Sequence, residues 1–170
     1  MALMCFHASR FNARQMNGDS LVLYEQQDET LWDYALIEQG KLFLYNSAQG
    51  DELSSYHLEA RIASWHCLKE DTTEKWEDIL RLYDRLLLVN YSPSVALNRT
   101  FALYKVKGAR VAIKEAEALK LERNHFYFLL IGELYKNIDK EKAKSNFQMA
   151  YSLAKTETEK FVIQNKLQGL

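Results

Sequence analysis

The chain has 170 residues, 48% apolar and 26% charged, with six Gly and one Pro. That length suits one compact unit, a single helical domain over residues 1–170, and excludes several independent domains. Because 22 Lys and Arg face 23 Asp and Glu, the net charge of −1 provides no broad positive field for a phosphate backbone, and direct nucleic-acid binding is not expected of this chain.

The opening segment ALMCFHASRFNAR sets Met4, Ala8 and Phe11 on one helical face, with Arg10 and Arg14 one turn apart beside it. It starts without a capping residue, as expected of a fragment of a longer chain. After the break at Asn17-Gly18-Asp19, alternation at Leu21 and Leu23 predicts one short extended segment near residues 20–26. Thr30 with Asp33 predicts a capped start to a helix carrying Trp32, Leu36, Gly40 and Phe43. A helix with Leu58, Ile62 and Trp65 inward follows, then the polar break at Lys69–Thr72, then a helix with Trp76, Ile79, Leu80, Tyr83 and Leu87.

Ser92-Pro93 marks a clear restart, since Ser caps exposed amides and Pro at the first helical position loses no needed donor. Lys107-Gly108 breaks the following pair. Asn124 and Asp139 are expected caps, and Thr156 with Glu159 forms a capping box opening the last helix. Scarce Gly and Pro among strong helix formers predict an all-α fold with about nine helices.

The last third carries an internal repeat. Leu97, Phe101, Tyr104, Ala112, Ala116 and Leu119 fall opposite Phe128, Gly132, Tyr135, Ala143, Phe147 and Ala150 at a constant offset of 31. The alternation of large, small and aromatic residues resembles the tetratricopeptide pattern, with a turn about one residue short and Phe101 where that pattern has a small residue. Ile79, Tyr83 and Leu86 resemble the same triplet in an earlier unit. The resemblance implies a right-handed array of antiparallel helix hairpins, with units at roughly 52–90, 93–121 and 124–154 and a terminal capping helix at 156–168.

No motif for chemistry emerges. His7, His57, His66 and His125 are scattered without metal-ligand spacing, and there is no glycine-rich phosphate loop or nucleophile elbow. No catalytic residue, metal or cofactor is expected, and the chain does not read as an enzyme. Cys5 and Cys67, far apart and few, read as reduced, packed thiols. No apolar run is long enough for a membrane span and no secretory signal opens the chain, so a cytoplasmic setting without a membrane partner is expected.

Two polar constellations remain. Arg10 and Arg14, followed by Glu25, Asp28 and Trp32, form either a clasp that fixes the first helix or an interface. Asn98, Arg99, Tyr104 and Tyr135 lie on the leading helices of the repeats, either lining a concave peptide groove or forming a solvated face. A small-molecule pocket under Trp32 and Trp65 has no polar signature in the sequence.

Three segments, ALMCFHASRFNAR, LVLYEQQDETLWDYALIEQG and LYDRLLLVNYSPSVALNRTFAL, together resemble the C-terminal extension of extracytoplasmic-function RNA polymerase sigma factors with a tetratricopeptide-like tail. Ala8, Arg10, Ala13 and Arg14 match that family's first helix. Leu21, Leu23, Glu25, Gln27, Asp28 and Trp32 match its strap, and Pro93, Ala96, Leu97, Asn98 and Arg99 match its restart. Glu29 departs, standing where the family has a basic residue. The resemblance implies a regulatory, protein-interaction tail in transcription initiation. Its partners would be the sigma factor's DNA-binding domains, core RNA polymerase or a regulator protein. A free-standing peptide-binding adaptor is the alternative.

Overall fold

A computed structural model describes residues 1–14, 24, 27–47 and 54–170. All regular structure among them is helical, in agreement with the all-α expectation. The α-helices are α1 (Ala2–Ala8), α2 (Tyr34–Ser47), α3 (Ser55–Trp65), α4 (Thr73–Val89), α5 (Pro93–Lys107), α6 (Ala109–Leu119), α7 (His125–Tyr135), α8 (Lys140–Leu153) and α9 (Glu157–Gln168). Short 3-10 turns occupy Asn12–Arg14 and Glu29–Leu31. The extended segment expected near residues 20–26 lies outside the described residues, apart from Tyr24.

The chain divides into two compact units, Met1–Tyr91 and Ser92–Leu170. In the first, α1, α2 and α3 pack together and α4 pairs with α3. Ala2, Phe6, Ala13, Trp32, Ile37, Ala60, Ala63 and Cys67 form a common core. Gly40 is required where α2 crosses α1, because a Cβ there would stand 2.7 Å from Phe6 Cε1.

Two expectations for this unit need correction. The Met4–Phe11 face of α1 points outward, with Met4 68% and Phe11 58% exposed. The inward side is instead Ala2, Cys5, Phe6, Ser9 and Arg10, because the slimmer Ala2 and Cys5 let α1 lie close to its neighbours. Likewise, α2 begins at Tyr34 and not at Thr30. The Asp28 carboxylate accepts from the Thr30 backbone N–H at 2.9 Å and holds residues 29–31 in a separate turn. Asp33 then caps α2 by accepting from the Leu36 N–H at 3.0 Å.

The second unit pairs α5 with α6 and α7 with α8, and α9 packs on α8. Ser92, Asn124, Asp139 and Thr156 each cap a helix through their side chains, and Thr156 with Glu159 completes the capping box. Gly108 ends α5 and starts α6 at φ +81°, a left-handed conformation that only Gly adopts without strain. Gly132 is the closest approach of the repeat: its Cβ would stand 2.5 Å from Phe147 Cε1. Where this hairpin sets Gly132 against Phe147, the preceding one has Phe101 and Ala116 at the matching positions, with large and small exchanged.

Candidate interaction site

In the first unit, Arg10, Arg14, Asp28 and Trp32, the described members of the expected clasp, lie on the end of α1 and the residues after it and on the 27–33 segment. The link from α1 to that segment runs through the backbone. The Asp33 N–H donates to Ser9 O at 2.8 Å, and Ser9 Oγ donates to Phe6 O at 2.9 Å. Arg10 is only 5% exposed, with its guanidinium 5.6 Å from the centre of the Tyr24 ring. Its Nε has no hydrogen-bond partner among the described residues. Burial lowers its pKa from the usual guanidinium value.

Arg14 meets His7, Nη2 to Nδ1 at 3.3 Å. Asp28 is held by the Thr30 N–H and hydroxyl, which lower its pKa. Trp32 is buried in the core, its Nε1 without a partner among the described residues. Glu25 lies outside the described residues. No described contact joins Arg10 or Arg14 to Asp28; among the described residues, Arg10 has Tyr24, Cys67 and Arg14 near it.

Sequence reasoning passed over the residues at the α3–α4 turn. Lys75, in the first turn of α4, is 2% exposed; its Nζ donates to Tyr24 Oη at 3.1 Å and to Leu68 O. Tyr24 Oη donates to Leu68 O at 2.8 Å, and Lys69 Nζ donates to Gln27 O, which tie Tyr24 and Gln27 to the α3–α4 turn. Burial pushes the Tyr24 hydroxyl up to about 12. His66 stands edge-on between Tyr24 and Trp76, at ring distances of 5.3 and 6.1 Å. Its pKa is pushed down to about 3, first by burial and then by the Arg10 and Lys75 charges, so the ring is neutral at physiological pH. The missed signal was the spacing of Lys75 with Ile79, Leu82 and Leu86, which puts a lysine in the apolar stripe of α4.

In the second unit, the groove candidates are spread over separate contacts. Asn98 is exposed. Arg99 Nη1 reaches Glu115 Oε1 on α6 at 3.3 Å. Tyr104 packs against the α5–α7 core. Tyr135 Oη donates to Glu117 Oε1 at 2.9 Å, with Lys142 Nζ 5.0 Å from its ring centre. Burial and that carboxylate raise the Tyr135 pKa. These bonds brace α6 against α5 and α7, leaving Asn98 as the most open polar group of the four.

The described residues define an all-α protein of paired helices. Residues 1–48 match a family of unknown function, DUF6596. An uncharacterized protein of Rhizobium meliloti is 31% identical over 173 residues, covering 99% of this chain and 41% of that relative. The chain therefore spans well under half the length of the curated relative it matches. No solved structure matches. Among the described residues, no helix is long and apolar enough to cross a membrane.

Proposed function

We propose that the chain is the regulatory, protein-interaction C-terminal domain of an extracytoplasmic-function sigma factor, non-enzymatic and cytoplasmic, acting in bacterial transcription initiation. The observation that carries this reading is the ordered resemblance of three long segments, which fall on α1, on residues 21–40 and on the end of α4 with the start of α5. A relative more than twice as long, aligned to nearly the whole chain, supports treating it as one part of a larger architecture. The net charge of −1 supports leaving promoter contact to other domains. Its partners are then the DNA-binding domains of the factor, core RNA polymerase or a regulator protein.

The test is deletion of this segment from the full-length factor, followed by promoter-dependent transcription and polymerase binding. Changed activity or regulation is expected, with no promoter binding by the segment alone. Unchanged transcription and unchanged polymerase binding would refute the reading.

A further inference from the structure

Within the first unit, α2 and α3 flank an open cleft of about 490 Å³. That is within the size range of small-molecule sites, about 300–1,000 Å³. Its described lining includes Leu44, Tyr45 and Trp65 as apolar and aromatic surface, Lys41 and Arg61 as cations, and His57; no carboxylate lines it among the described residues. The cations are presented in different ways. Arg61 Nη2 donates to Asp78 Oδ2 at 3.2 Å, and the same oxygen accepts from Trp65 Nε1 at 2.7 Å, so one carboxylate outside the cleft orients both side chains. Asp78 in turn meets Arg81 at 3.2 Å, which leaves two guanidiniums on one carboxylate. Lys41 meets Glu38 on its own helix surface, a 2.7 Å pair with both side chains more than half exposed, and such a pair is easily exchanged for another anion.

His57 shares its Nδ1 with Ser47 Oγ at 3.1 Å, and burial followed by the Arg61 charge lowers its pKa, so it offers a neutral ring. The cleft thus sets an aromatic wall beside two cations, Lys41 and Arg61, whose carboxylate partners Glu38 and Asp78 are not among its described lining residues, a combination that suits an anionic head on an apolar body.

We propose that this cleft binds a small organic acid, a single carboxylate on an aromatic or aliphatic body, with Lys41 and Arg61 receiving the carboxylate and Trp65, Tyr45 and Leu44 the body. The inference is independent of the sigma-factor reading, since it concerns binding by this chain alone.

The probes are naphthylacetate and its neutral amide, naphthylacetamide, titrated into the nitrogen-labelled chain. The readout is the Trp65 indole N–H resonance, assigned by loss in Trp65→Phe, with Trp32 and Trp76 as internal references. The acid should shift Trp65 saturably and bind about tenfold more tightly than the amide, as one charge-assisted contact implies. Lys41→Gln, at an exposed position, should weaken the acid about fivefold and leave the amide unchanged. Equal binding of acid and amide, no saturable shift at Trp65, or an acid preference left at its full size by Lys41→Gln would each overturn the assignment.

Discussion

Substituting Gly132 with Ala sets two effects of known size against each other. In a helix interior, Ala is favoured over Gly by about 1 kcal/mol. Here the new methyl would stand 2.5 Å from Phe147 Cε1, 2.6 Å from Cδ1 and 3.1 Å from Cγ. A clash reaching the base of the ring cannot be relieved by tilting its tip, and Phe147 is 0% exposed, enclosed by the α8–α9 core. Overpacking of this kind costs about 1–3 kcal/mol, so Gly132→Ala should lose about 1 kcal/mol net. The assay is native-state hydrogen exchange of amides in α7 and α8, which reads this unit by itself. In a Phe147→Leu background the clash is gone, and the same substitution should become neutral or stabilising, a coupling of about 1 kcal/mol or more. Stabilisation by Gly132→Ala in the parent chain would refute the close approach.

Three further outcomes are expected. The folded His66 ring takes up its proton near 3 and the unfolded one near 6.5, so the unfolded state binds more protons between these values. Stability should therefore be full above about 6.5 and fall as the pH drops toward 3, by at most about 1.4 kcal/mol per pH unit from this group. Urea titrations should show a shallower slope for His66→Gln, and identical slopes would count against the buried ring. Thr156→Ala removes the cap that accepts from the Glu159 N–H at 3.2 Å, and should cost about 1 kcal/mol, seen as faster exchange in the first turn of α9. Cys5 and Cys67 are both free and buried, and burial raises the Cys67 thiol, so a thiol reagent at mildly alkaline pH should label neither quickly in the folded chain and both in denaturant. Rapid labelling of the native chain would contradict that packing.

Local chemistry made much of the fold legible. Ser92-Pro93, Asn124, Asp139 and the Thr156–Glu159 box act on amides within a few residues, so helix starts can be read without knowing what lies across from them. The repeat offset was readable for a similar reason: matching hairpins bury matching positions, as Ala112 with Ala143 and Ala116 with Phe147, all fully enclosed.

What no local pattern carries is which of two apolar faces turns inward. α1 has apolar residues on both sides, and only its contacts with α2 and α3 select Phe6 over Met4 and Phe11. The start of α2 differs for a related reason, since Asp33 is fixed by its backbone bond to Ser9, the residue that ends α1. Lys75, His66 and the α2–α3 cleft depend on several helices meeting at once. Burial, and the pKa shifts that follow from it, are sums over neighbours distant along the chain, whereas helix propensity and capping are settled within a single turn.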